Sequence, residues 1–350
     1  MHTNDRSRLR TRGLRTRGLG TRSLGTRSLG TRSLALTAAC AALVLTTACT
    51  AGSTDSTGVS SAGQPTVRLA LGVDASYAPF YLAVERGMFK KAGVNVELVK
   101  TEGGPAASQA VTAGTAQIAA NADSTALPLM VANPGLRALG IFQSSDRYLK
   151  VVLRDGIDSP QQIRTMASIG GLGLYATHQY LKHNGIDPKS VKILESSPSE
   201  IPGMLEQGSI DAYVLFEPWA ARGDAAGGHI AGRIGDFGVK YVQWLLADQS
   251  WLKDNEDVAG KVFKVVAEAD KLVTDDPAAA AKASEQQVKL PADQTAKVLP
   301  EITFAARGID DTDVTESEKI AGFLVEQKLI KKSPELGTTL LRGWYEQHAR

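Results

Sequence analysis

Apolar and polar positions change period along this chain, and the changes mark its elements. Val67, Leu69 and Leu71 alternate with Arg68 and Ala70 until Gly72 interrupts them, a two-residue period that predicts a strand from Thr66. Pro79 suits the first turn of a helix, where its missing N–H is not needed, and Phe80, Val84 and Met88 follow at helical spacing. Lys90 and Lys91 suit the negative end of that helix, and Gly93 its stop. Val94, Val96 and Leu98 then alternate again. Strand, helix and strand in so short a span predict a right-handed βαβ unit of a parallel sheet.

The pattern repeats. A helix from Ala106 to Ala113 leads to a short strand at Gln117–Ala120, a helix from Ser124, a strand at Ala138–Phe142 and an extended segment at Val151–Leu153. A second series has strands at Met166–Ile169, Val191–Leu194 and Ala212–Phe216, with helices at Leu174–His183 and Glu200–Glu206 between them. After Gly238 the run Tyr241–Ala247 is extended. The remainder reads as helical, with Val258, Val262, Val266, Ala269 and Val273 on one face and Pro277, Pro291 and Pro300 as punctuation. The expected fold is α/β in two lobes, residues 66–147 with 245–350 as lobe I and 148–244 as lobe II. The chain crosses between them near 145–153 and 238–247, and the helical tail returns to lobe I. Two crossings make a hinge, and a hinge implies a cleft.

The first 48 residues follow a different logic. Residues 1–33 repeat Gly-Thr-Arg-Ser-Leu from Gly20, a unit too short to pack, and hold nine arginines against one aspartate. The whole chain is only +2, so the rest is net acidic and offers no electrostatic reason to bind nucleic acid. The apolar run Leu34–Cys49 falls short of the roughly 20 residues that a membrane helix needs. Basic head, apolar run and small residues predict an export signal over 1–48. Leu45-Thr46-Thr47-Ala48-Cys49 looks like a bacterial lipobox with Cys49 as the lipidated residue; ordinary signal cleavage is the alternative. Cys40 is the other cysteine, so the exported part has no disulfide to form. Residues 49–65 are rich in Ser, Thr and Gly, the composition of a flexible tether. The expected location is outside the cytoplasm, on the cell membrane through a lipid anchor.

Four motifs in order carry a resemblance. Ala78-Pro79-Phe80-Tyr81-Leu82-Ala83-Val84-Glu85-Arg86-Gly87-Met88-Phe89 runs on to Gly93-Val94-Asn95-Val96-Glu97. Gly103-Gly104 precedes a helix, Ala113-Gly114-Thr115-Ala116-Gln117-Ile118-Ala119 comes next, and Gly208-Ser209-Ile210-Asp211-Ala212 stands with Glu217-Pro218-Trp219. Over Val67 to Leu272 the chain resembles the sulfonate-, nitrate-, taurine- and thiamine-precursor-binding proteins of ABC importers. Gln117 departs from the family's usual acid, and Met166–Tyr175 differs from its Gly-Ser-rich ligand turn. The resemblance implies a type II periplasmic-binding-protein fold, a small-molecule ligand, ABC permease subunits as partners, a monomer, no cofactor and no chemistry on the ligand. A sulfonate, nitrate or taurine-type anion comes first, and a planar amine such as a thiamine-precursor pyrimidine is the alternative.

In open α/β sheets ligands sit at the carboxyl ends of strands. Five loops meet that rule. Tyr77 and Phe80 follow the first strand, Phe80 at a spacing that also suits the core. Gly103 and Gly104 let backbone approach a ligand and leave helix N–H groups free. Asn121 can hydrogen-bond a ligand, while Ser124 and Asp123 suit ligand contact or a helix cap. Gly171 and Tyr175 would close from the second lobe. Glu217 can accept from an amine or pair with a lobe I donor, and Trp219 can stack on a flat ligand. Trp244, Trp251 and Trp344 fit the core. His178, His183, His229 and His348 are scattered without metal or nucleophile spacing. A sensor lipoprotein and an enzyme on the same fold remain the rival classes.

Overall fold

The computed structural model describes residues 63–350, so the export signal, Cys49 and most of the expected tether lie outside the described residues. The alternating run after Pro65 forms β1, Thr66–Leu71, which pairs in parallel with β2, Asn95–Lys100, and with β3, Ile118–Ala122. All five residues of β3 are buried, as a central parallel strand requires. The helix between β1 and β2 does not run through as its periodicity predicts. It spans Ala78–Glu85, breaks where Gly87 adopts φ 63°, and restarts over Met88–Lys91.

β4, Leu136–Ser145, leaves this sheet and leads within a few residues into β5, Leu149–Arg154, of a second sheet. There β6 (Thr165–Ser168), β7 (Lys192–Glu195) and β8 (Ala212–Phe216) are mutually parallel, and β5 lies antiparallel between β8 and β9 (Gly228–Arg233). β10, Tyr241–Asp248, returns antiparallel between β3 and β4. Tyr241 already pairs with Ser145, so residues 241–244, expected in lobe II, belong to the first sheet. The strand orders are β11-β4-β10-β3-β1-β2 and β7-β6-β8-β5-β9.

Two strands escaped the hydrophobic pattern. β9 is Gly-rich and half solvated, and β11, Thr303–Arg307, sits in a tail that reads as helical. Both are sheet-edge strands, where a partner supplies the pairing that sequence period does not announce. The long helix Glu256–Asp275 packs its Val262, Phe263, Val266 and Val273 face inward. Phe263 meets Tyr345 edge-on at 5.0 Å and lies near Trp344 at 6.5 Å. Trp244 and Trp344 are buried and Trp251 is partly buried against the same core.

Asp270 sits on the buried face of that helix, 1% exposed. Burial pushes its carboxyl well above the usual range, opposed by the Ala306 backbone amide. A raised folded-state pKa means the native protein binds more protons than the unfolded chain above about pH 3.9, so stability falls as pH rises. Asp270→Asn should therefore raise the melting temperature at pH 7 and flatten its decline between pH 4 and 8. A lower melting temperature at pH 7 would contradict this.

Candidate functional site

The carboxyl ends of β1, β3, β6 and β8 face one another across the space between the two sheets. A cavity of about 610 Å³ lies there, within the usual size of small-molecule sites. From the first sheet, the turn after β1 contributes Val73, Asp74 and Tyr77. Asp74 organises that turn by accepting the Ser76 N–H at 2.7 Å, and burial pushes its carboxyl upward. Gly103 and Gly104 open the helix Gly104–Thr112, which has no side-chain cap. A methyl group on Gly104 would fall 1.8 Å from Asn121 Oδ1. Asn121 is held from both ends: its Nδ2 donates to Ser108 Oγ at 2.9 Å, and its Oδ1 accepts from Thr125 Oγ1 at 2.5 Å.

The second sheet supplies Ile169, Gly170 and Leu172 at the uncapped start of the helix Gly171–His183, and the loop Ser196–Ser199 after β7. Phe216 and Trp219 follow from the end of β8. Tyr148, in the first crossing, is stacked between Phe216 at 6.1 Å and Tyr241 at 5.9 Å, so one aromatic column joins both sheets beside the cavity. The two halves also approach closely where Gly171, at φ 48°, faces Thr125: a Cβ there would be 2.5 Å from Thr125 Cγ2. No lysine or arginine lines the cavity among the described residues, whereas Asp74 and Glu102 do.

Of the residues singled out from sequence, Tyr77, Gly103, Gly104, Asn121 and Trp219 line this cavity. The others stand elsewhere. Phe80 is fully buried and meets Phe142 edge-on at 5.0 Å, because the all-round burial of its helix turns it into the core. Ser124 is fully buried, and its N–H goes to Asp123 Oδ1 at 2.5 Å. Gly171 lies one residue behind the lining, against Thr125. Tyr175, one helical turn further on, lines a separate cavity of about 250 Å³ with Asp123 and packs edge-on against Phe323 at 5.2 Å. Burial, with Asp313 and Glu316 nearby, pushes the Asp123 carboxyl up to about 7.

Glu217 turns away from the cavity to meet Lys150 Nζ at 2.5 Å, and its other oxygen accepts the Ala221 N–H at 3.0 Å. An unpaired buried carboxylate would be strongly unfavourable, and Lys150 is the opposite charge within reach. Sequence reasoning passed over Phe216, Tyr241 and Ser196–Ser199. The serine run follows a predicted strand and obeys the same carboxyl-end rule, so it was legible; Tyr241 and Phe216 enter only through the packing of the crossings. Among the described residues no three His, Cys, Asp or Glu side chains group as metal ligands, and no helix is long and apolar enough to cross a membrane.

A family model described as NMT1/THI5 like matches residues 74–280. The chain belongs to the NMT1/THI5-like family. The binding-protein candidate YtlA of Bacillus subtilis (strain 168) is 26% identical over 211 residues, 56% of this chain; the chain spans 62% of that relative's length. The periplasmic aliphatic sulphonate binding protein SsuA of Escherichia coli superposes with a TM-score of 0.72 at 15% identity, over 81% of this chain and 99% of its own. The desulfurization enzyme DSZB superposes at 0.60 with 13% identity, over 81% of this chain and 98% of its own. The NMT1/THI5-like chain thus has the periplasmic-binding-protein fold, a fold on which an enzyme also stands.

The Gly104 contact gives a direct test of the lining. Gly104→Ala must displace Asn121 from Ser108 and Thr125, and should lower stability by about 1–3 kcal/mol in denaturant unfolding. Gly203→Ala, in the helix Ile201–Glu206 with open space at the added Cβ, should stabilise by about 0.5–1 kcal/mol. Equal effects at the two sites would refute the assigned packing.

Proposed function

We propose that this chain is the solute-binding component of an ABC importer, tethered outside the cytoplasm by a lipid on Cys49. It captures a small molecule between its two sheets, as lobes about the 146–148 and 234–240 crossings, and presents it unaltered to permease subunits as a monomer. Family membership supports this reading, and one observation carries it: a cavity of about 610 Å³ walled by both halves at the carboxyl ends of their strands. A ligand touching both walls binds the shut form more tightly and shifts the population toward it.

The chemistry of the lining favours a planar solute bearing an amine, in the manner of a thiamine-precursor pyrimidine. Phe216, Trp219 and Tyr241 offer flat apolar surface, Asp74 offers a carboxyl, and among the described residues no cationic side chain lines the wall. A sulfonate-type anion is the second reading. The uncapped starts of the helices Gly104–Thr112 and Gly171–His183 favour it, since their free N–H groups attract negative charge, and the likeness to the aliphatic sulphonate binding protein SsuA supports it too.

A thermal-shift panel of pyrimidines, taurine, alkanesulfonates and nitrate separates these. At about 100 times its Kd a true ligand adds about 2.7 kcal/mol of stability. Trp219→Ala should abolish that shift while leaving the ligand-free protein folded. A full shift in Trp219→Ala would place the ligand elsewhere. Mass spectrometry of the recovered ligand should show it unchanged; a product would make the protein an enzyme.

A further inference from the structure

Lys150 stands on β5 of the second sheet and is buried, as is Glu217 at the end of β8. Its Nζ lies 2.5 Å from Glu217 Oε1 and 3.0 Å from Oε2 of Glu301, which ends the turn Leu299–Glu301 leading to β11 of the first sheet. Among the ion pairs of the described residues this is the one that joins the two halves. Arg154–Asp211 lies within the second sheet's half, and Arg307 with Asp310 and Asp313, Lys319–Glu316, Arg342–Asp311 and His348–Glu256 lie within the C-terminal tail.

We propose that Lys150 is a positioning residue whose contact with Glu301, made in addition to Glu217, sets how far the two halves are shut, and so sets ligand affinity from outside the ligand cavity. The proposal rests on the reading of the halves as lobes that close on a solute. Both ends of the switch are electrostatically tolerable. When the halves part, the buried ammonium keeps Glu217, a partner in its own half, fixed by the Ala221 N–H. Glu301 is then hydrated, because with Lys150 and Glu217 it lines a second chamber of about 560 Å³ between the helices Trp219–Ala225 and Ala292–Val298. When they shut, Lys150 bridges both carboxylates. The Glu301 backbone is a fixed target, since its carbonyl accepts from Ser145 Oγ at 2.6 Å, and Ser145 Oγ also accepts the Arg147 and Tyr148 N–H groups of the first crossing. Two discrete arrangements of one ammonium make a bistable element rather than a graded one.

Two neutral substitutions should act with opposite sign, which general destabilisation would not produce. Glu301→Gln removes the partner across the halves. Small-angle scattering of the ligand-free protein should show a larger radius of gyration, and the Kd for whichever panel compound shifts the wild-type melt should rise about tenfold. Glu217→Gln leaves Lys150 only the partner across the halves, and should give a smaller radius of gyration and a lower Kd. Shifts of the same sign, or scattering identical to wild type in both, would overturn the proposal. Should Glu301→Gln fail to melt cooperatively, Glu301→Asp keeps the charge on a shorter arm and should be intermediate; wild-type scattering from it would equally overturn the proposal. The scattering arm needs no ligand. If it separates the variants as expected while no panel compound binds, the solute reading fails and the latch stands.

Discussion

One geometric constraint governs this molecule: the chain passes between its sheets twice, each time within a few residues. β4 gives way to β5 after three residues, and β9 reaches β10 after seven, four of them in the turn Ile234–Phe237. Segments that short cannot let the sheets separate; they can only let one rotate against the other. Whatever the protein holds between the sheets must therefore be held by groups near strand ends. The aromatic column of Phe216, Tyr148 and Tyr241 and the Lys150 ion pairs stand where the rotation axis would pass.

Electrostatics divide the interior of the cleft unevenly. The larger chamber is aromatic and apolar, with two acidic side chains and, among the described residues, no cationic one, while Lys150, Arg222 and Lys297 all line the chamber beyond Asp74. Arg222 also lies 4.5 Å over the Trp219 ring, which stiffens the wall between the chambers. Among the described residues, the positive potential that reaches the larger chamber from its own lining comes from helix starts, including those of Gly104–Thr112 and Gly171–His183. A strong anion would meet weaker compensation there than a neutral or amine-bearing solute.

Close approach explains why glycines stand where they do. Gly104 leaves room for Asn121, and Gly171 leaves room for Thr125 across the cleft. The first is packing within one half and keeps the cavity floor in place. The second is a contact between halves, so a side chain there would hold the cleft ajar. Neither distinction is visible in the letters Gly-Gly.

The sequence by itself determined the α/β alternation and the loops at strand ends, because period and turn residues act locally. Val67-Leu69-Leu71 became β1, and the face from Val258 to Val273 became the helix Glu256–Asp275. It placed Tyr77, Gly103, Gly104, Asn121 and Trp219 near one another through the strand-end rule alone. It did not announce β9 or β11, whose residues acquire strand form from the neighbour they pair with. Nor could it orient Phe80, Tyr175 or Glu217. The direction a side chain faces depends on helix rotation and on the charges within reach, and the partners concerned, Phe142, Phe323 and Lys150, lie 62, 148 and 67 residues away. Tertiary structure decided those three because only folding brings such partners to contact distance.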